Sequence, residues 1–307
     1  MQLLQQDFRQ FEKLDLLARQ VVEGFIIGLH KSPYHGFSVE FAEHRIYNKG
    51  DSLRNVDWKA YAKTGRMYVK KYEEETNLRC QVIIDVSGSM RFPEKPAEGQ
   101  LNKLEFSAVS AAALFHLLVK QRDAAGLTLV SDRIEAHTPS RTNAQHHQLL
   151  LNHLYSVLTK PETYSKTTQI SPCLHQVAEL LHRRSLVFIF SDLFDGNEDV
   201  AFFKALQHLK HNKHEVVLFH VTKSSEELDF NFENRPYHFI DMESGEEVKL
   251  LPGQVRDYYR NVLERKRREL VLKCAQYKID LIEADIDKGF DTILQAYLIK
   301  RTRMAAG

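Results

Sequence analysis

Three cysteines are all that the 307 residues contain: Cys80, Cys173 and Cys274. They are odd in number, far apart and outside any C-x-x-C pair, which argues against a disulfide framework and a zinc ribbon and points to a reducing compartment. Charge of one sign is equally scarce. Lys and Arg total 42 against 41 Asp and Glu, a formal net charge of +1, so no global field recruits nucleic acid or an anionic membrane. Partner choice must therefore be local. No apolar run is long enough to span a bilayer. The opening residues, MQLLQQDFRQFEKLD, carry acids and glutamines where a signal peptide needs a basic start and an apolar stretch. These features predict a soluble, cytoplasmic chain with no transmembrane segment, reaching a membrane only through partners. Repeats, low-complexity tracts and flexible linkers are also missing, so the parts are expected to pack together.

What is present is an ordinary globular composition, 43% hydrophobic and 27% charged. The length suits one large α/β domain with an accessory region, or two modest domains. Leu4, Phe8, Phe11, Leu14, Leu17, Val21, Phe25 and Ile26 fall at helical spacing and predict one long amphipathic N-terminal helix. Residues 31 to 78 read as a small, partly β region punctuated by Gly36, Gly50 and Gly65. From Gln81 onward strands alternate with helices. QVIIDV, GLTLVS, RIEAHT, SLVFIFSD, HEVVLFHVT and KIDLIEA read as strands, and helical patterns separate most of them. That order predicts an α/β fold, a mostly parallel central sheet flanked by helices. YHFIDMESGEEVKLL reads as a hairpin around Ser244 and Gly245, followed by a long exposed helix and a closing one. The expected division is residues 1–78, the helix and accessory region, and residues 79–307, the α/β domain.

The stretch VIIDVSGSM, residues 82–90, runs from β-branched residues into an acid, two hydroxyls and a glycine. In an open α/β sheet, ligands sit beyond the carboxyl ends of the strands, near the point where strand order reverses. Asp85 ends one strand and Asp192 another. If the two are neighbours, Asp85, Ser87, Ser89 and Asp192 converge. Such oxygen donors suit a hard cation such as Mg²⁺, with Val86 and Gly88 supplying packing and backbone freedom. A water position on the ion could then accept a carboxylate from another protein. The bland account is a strand-to-helix turn whose side chains satisfy backbone donors.

Asp85-x-Ser87-x-Ser89, a Thr ahead of a later helix and Asp192 after a later strand resemble the metal-ion-dependent adhesion site of von Willebrand factor A domains. The resemblance implies a Rossmann-like sheet, with Ser87, Ser89 and Thr168 (or its neighbour Thr167) as hydroxyl ligands and Asp85 and Asp192 as acids. The cation it implies is Mg²⁺, or Mn²⁺ or Ca²⁺. Upstream, E-F-x-x-x-R-x-Y at Glu40 to Tyr47 and G-D-x-x-R-x-x-D-W at Gly50 to Trp58 resemble the bacterial family catalogued as domain of unknown function 58. Members of that family are often encoded beside chaperone-like MoxR-type AAA+ ATPases. The resemblance therefore implies a cation-dependent protein-binding adaptor acting with such an ATPase in assembly or maturation of other proteins.

Other motifs have two readings each. Arg45, Asp51, Arg54, Asp57 and Trp58 form either a partner-binding surface, since Arg and Trp are favoured interface anchors, or an internal ion-pair and packing cluster. His208, His211 and His214 have a spacing that suggests a transition metal, against a solvated helix end followed by a strand. Arg265 to Arg268 could touch phosphate, but Glu264 and Glu269 flank the run as on any charged helix face. Enzymatic signals are sparse. Ser87 stands where phosphotransferases place a second Asp, and neither G-x-S-x-G nor G-x-x-x-x-G-K-[ST] occurs at the metal loop. The competing function is an Mg²⁺-dependent phosphoester hydrolase using Asp85 and Asp192; no catalytic residue is assigned.

Overall fold

The computed structural model describes residues 11–31, 44–46, 58–70, 78–97, 99–159, 169–193, 199–242 and 245–305. Two compact units emerge, one formed by Met1–Phe25 with Leu78–Gly307 and the other by Ile26–Asn77. The apolar stripe of the N-terminal helix packs with the α/β unit. That helix, α1 (Phe11–Lys31), buries Leu14, Leu17, Ala18, Val21, Val22 and Phe25, one face at 3.6-residue spacing. Its Asp15 reaches to 2.9 Å from His116 Nε2 of the α/β unit.

In the smaller unit, β1 (His44–Ile46) pairs antiparallel with β2 (Tyr68–Lys70), and α2 (Trp58–Thr64) lies between them in sequence. Gly65, at φ +66, donates its N–H to the carbonyl of Tyr61 at 2.8 Å and ends α2 in the left-handed conformation that glycine adopts without a Cβ penalty.

In the larger unit the described strands are β3 (Arg79–Asp85), β4 (Ala124–Val130), β5 (Ile134–Arg141), β6 (Leu186–Ser191), β7 (Glu215–Thr222) and β10 (Asp280–Asp285), with the hairpin strands β8 (Tyr237–Ile240) and β9 (Glu247–Leu250) apart. The sheet order is β10-β7-β6-β3-β4-β5. All neighbours are parallel except β4 and β5, which pair antiparallel at the edge. Numbered within the sheet, this is the doubly wound 3-2-1-4-5-6 order. It is the mostly parallel α/β sheet expected from the sequence. β4 and β6 are buried along their whole length, which is why they read as continuous apolar runs rather than alternating ones.

The two faces are covered by different helices. Val187 and Ile189 of β6 join Ile83, Val216 and Leu218 in a cluster with α5 (Ile170–Leu180) and α6 (Asp199–His211). Phe188 turns the other way, onto Tyr297 of α8 (Asp291–Ala305), while Phe190 stacks on Phe219 at 4.6 Å. Each fully buried side chain of this size contributes roughly 1.5–3 kcal/mol. α3 (Lys103–Lys120) is buried nearly all round, and a capping box sets its start: Asn102 accepts from the N–H of Glu105, whose carboxylate accepts from the N–H of Asn102. α4 (Ala144–Thr159) packs beside it. The hairpin turns at Gly245, φ +75, and α7 (Pro252–Gln276) follows as a largely exposed helix with Cys274 in the core. The three cysteines are free and buried, and burial pushes the thiols of Cys173 and Cys274 up to about 11. Among the described residues, no helix is long and apolar enough to cross a membrane.

Candidate functional site

β3 and β6 are adjacent and parallel, with Ile84 opposite Phe190. From β3 the chain proceeds through α3 to β4, and from β6 through α6 to β7 on the other side. The reversal of strand order therefore falls between the strands that end at Asp85 and just before Asp192. A pair of acids over 100 positions apart in sequence is brought to the one crevice that the topology opens.

The oxygens form a continuous set. Ser87 Oγ and Ser89 Oγ are 3.2 Å apart, and Ser89 Oγ donates to Asp192 Oδ1 at 3.2 Å. Asp85 lies behind them. Its Oδ1 accepts the N–H of Ser87 at 3.0 Å, and its Oδ2 accepts the hydroxyl of Ser191 at 2.9 Å. Asp85, Ser87 and Asp192 are buried. Burial, and then the neighbouring charge of Asp192, push the Asp85 carboxyl up to about 7, although the hydrogen bonds from Ser87 and Ser191 act in the opposite direction. Two acids held together without enough opposite charge form the electrostatic shape of a cation site. Oxygen-only donors of this kind fit a hard divalent ion, and a second carboxylate plus hydroxyls keeps its charge nearly balanced.

Gly88 does not supply the expected backbone freedom. It sits at φ −60, ψ −43, ordinary helical values, and opens the short 3-10 turn Ser89–Arg91. The chain instead takes a left-handed conformation at Leu193, φ 54, whose N–H is held by Ser191 Oγ at 3.1 Å. Val86 is fully buried, and its N–H bonds the carbonyl of Val130 at 2.8 Å.

Reading by sequence alone missed four participants. Lys103 Nζ lies 2.7 Å from Asp192 Oδ2 and 2.7 Å from Glu227 Oε1. Burial alone would lower the pKa of Lys103, but Asp192 and Glu227 outweigh it and hold the ammonium above its usual range. Burial raises that of Glu227. Ser191 fixes Asp85, and His220 Nε2 lies 3.1 Å from the carbonyl of Asp192, so the ring donates Nε2–H there. Burial keeps His220 below its ordinary pKa. The one hint in the sequence is local: Lys103 begins a helix, where the macrodipole disfavours a cation, and Leu104, Phe106, Ala108 and Val109 follow it within two turns.

Thr167 and Thr168 lie outside the described residues, as do Asp51, Arg54 and Asp57. Arg45 sits in β1 opposite Val69. Trp58 is 56% exposed and meets Tyr61 edge-on at 6.2 Å. His208, His211 and His214 do not gather. His214 is buried and accepts from the N–H of Ser185 at 3.2 Å, whereas His208 lies 2.7 Å from Glu179 and 3.1 Å from His175. Among the described residues, no group of three or more His, Cys, Asp or Glu side chains is placed to hold a metal; the oxygen site relies on serines. Arg267 and Arg268 are paired with Glu283 and Glu264.

A family model described as protein of unknown function DUF58 matches residues 43–269, most of the chain. The chain belongs to the DUF58 family. The chain is also similar to uncharacterized proteins of Mycobacterium tuberculosis and Mycobacterium bovis, 24% identical over 180 residues, which is 58% of this chain and 55% of theirs. The chain thus spans little more than half the length of these curated relatives. Among solved structures it is similar to BatB from Bacteroides thetaiotaomicron, with TM-score 0.46 and 14% identity over 75% of this chain and 100% of that one. It is also similar to the VWA domain of SpRpn10, with TM-score 0.37 and 10% identity over 71% and 94%.

Proposed function

We propose that this DUF58 chain is a divalent-cation-dependent protein-binding module. The observation that carries this reading is the run of oxygens from Ser87 Oγ through Ser89 Oγ to Asp192 Oδ1, each step 3.2 Å, with Asp85 buried behind it. Mg²⁺, or Mn²⁺ or Ca²⁺ in its place, would be held by Asp85, Ser87, Ser89 and Asp192, with Thr168 or Thr167 as a further hydroxyl. The bound ion supplies an open coordination position for a partner carboxylate. The chain's own residues keep the donors in place and exclude bulk water from the inner acid.

The partner proposed from the family resemblance is a MoxR-type AAA+ ATPase, with the pair acting in the cytoplasm on assembly or maturation of other proteins and reaching membranes only through those partners. Residues 1–78 and 79–307 would divide the work, the first region carrying family-specific contacts and the second the cation. Phosphoester hydrolysis draws on the same acids, and no contact in the site favours it.

The test is capture of a purified MoxR-type ATPase from the same genome on the immobilised chain. Capture is measured with ATP and Mg²⁺, with chelator added, and with Asp85→Ala in Mg²⁺. Loss in the second and third conditions is expected. Equal capture in all three would overturn the metal dependence, and absence of capture in every condition would overturn the choice of partner.

A further inference from the structure

Lys103 is placed unfavourably on two counts. As the first residue of α3 it meets the positive end of the helix dipole. Its side chain is 1% exposed, and a buried ammonium persists only when paired. The pairing comes from far away in sequence. Asp192 Oδ2 and Glu227 Oε1 each lie 2.7 Å from Nζ, and the other oxygen of Glu227 is held by the N–H of Lys223 at 2.7 Å. Phe92 covers the ammonium, its ring centroid 5.6 Å from Nζ. Asp192 is consequently shared: Oδ1 faces the hydroxyl of Ser89, while Oδ2 is occupied by lysine.

A cation that takes Asp192 Oδ1 has to share the carboxylate with a fixed positive charge. Resting on the cation-site reading above, we propose that Lys103 is a resident counter-charge that competes with the divalent ion for Asp192. Glu227 sets the strength of that competition by drawing the ammonium to itself. The arrangement keeps Asp192 oriented when no metal is bound. It also weakens metal binding, so that occupancy follows the free cation concentration instead of being permanent.

This role separates from simple packing because it moves the two partners in opposite directions. Lys103→Met removes the competing charge and tightens Mg²⁺ binding by on the order of tenfold. Glu227→Gln leaves the ammonium less neutralised and weakens binding by roughly threefold to tenfold. If the contacts served only to hold α3 in place, both substitutions would loosen the site and weaken binding together. Lys103→Met also leaves the buried Asp192 and the part-buried Glu227 without their cation and lowers the melting temperature of the metal-free chain. The double variant Lys103→Met with Glu227→Gln relieves the Glu227 half of that strain and still binds more tightly than wild type, because the lost positive charge touched Asp192 directly.

The experiment is titration calorimetry of the full chain with Mg²⁺ alone, in wild type, both single variants and the double variant, with melting temperatures recorded with and without Mg²⁺. Tighter binding in Lys103→Met, or in the double variant should the single one not fold, with weaker binding in Glu227→Gln, supports the proposal. Wild type that binds Mg²⁺ with no tightening on loss of Lys103 overturns it and leaves the cation site standing. Binding that appears only once Lys103 is removed supports the competition and overturns cation dependence in the native chain. No binding in any of the four proteins overturns both readings.

Discussion

Ser89 Oγ donates to Asp192 Oδ1 at 3.2 Å, joining residues 103 positions apart. The bond spans the gap between the turn after β3 and the end of β6, so it closes the crevice where the strand order reverses. Both partners offer lone pairs to the same space.

Ser89→Ala removes one of those donors without disturbing the core, since Ser89 is only part-buried. Mg²⁺ affinity is expected to fall by on the order of tenfold, the cost of one lost interaction with a charged group, while stability changes by less than about 1 kcal/mol. Asp192→Asn is expected to behave differently. It abolishes Mg²⁺ binding and also costs about 3 kcal/mol, because it strips Lys103 of a buried partner. Calorimetry and denaturant melts on the two variants distinguish these effects; equal stability losses would count against the ion pair.

At the opposite edge of the sheet, Asp123 accepts three donors: Tyr297 Oη at 2.9 Å, Arg301 Nε at 2.8 Å and the N–H of Leu78 at 3.1 Å. Its carboxylate ties α8 to the start of β3. Asp123→Asn is expected to destabilise the chain by about 2–4 kcal/mol, whereas Tyr297→Phe removes one hydrogen bond and costs about 1 kcal/mol. Urea unfolding of both variants checks the order, and a milder effect for Asp123→Asn than for Tyr297→Phe would sink it.

Beneath α1, the rings of His116 and His147 meet at 4.9 Å. Burial first, and then the neighbouring His116, hold His147 down to about 4, and burial lowers His116 as well. The folded pKa of His147 lies below its unfolded value of 6.5, so the unfolded chain takes up the proton first. Its contribution is fully present above about pH 6.5 and is lost as pH falls from there toward 4. Melting temperatures of wild type and His147→Gln, compared between pH 7 and 4.5, should converge at the acid end. A constant difference across that range would refute the assignment.

Gly126 of β4 has no room for a side chain. A Cβ there would lie 2.2 Å from Gln81 Oε1 and 2.8 Å from both Ser140 N and Thr138 O, next to an irregularity in the β4–β5 register. The last two are backbone atoms that cannot step aside. Gly126→Ala is expected to cost about 1–3 kcal/mol as overpacking, measured by denaturant melts, and a neutral substitution would show that the edge strand yields.

The central strands were legible because β4 and β6 are buried along their whole length; LVFIFS needs no partner to be recognised, whereas the half-buried edge strands β5 and β10 show no unbroken apolar run. The acids were legible for the same reason, since Asp85 and Asp192 interrupt such runs at their ends. The conformation of Gly88 was not, because a glycine in a polar turn is compatible with either sign of φ until neighbouring hydrogen bonds choose. The surface that α1 covers was hidden too: periodicity shows that the helix has an apolar face but not what that face meets.

By itself, then, the sequence determined the alternation of strands and helices, the positions of the oxygen donors and the near-neutral charge that leaves recognition to local chemistry. Only tertiary structure decided that β3 and β6 are neighbours, and with that the meeting of Ser89 and Asp192. It alone placed Lys103 against Asp192 and Glu227, across 89 and 124 residues. A lysine at a helix start is unfavourable for the dipole, but nothing local names its partners, and its burial follows from packing of distant segments, which periodicity does not encode.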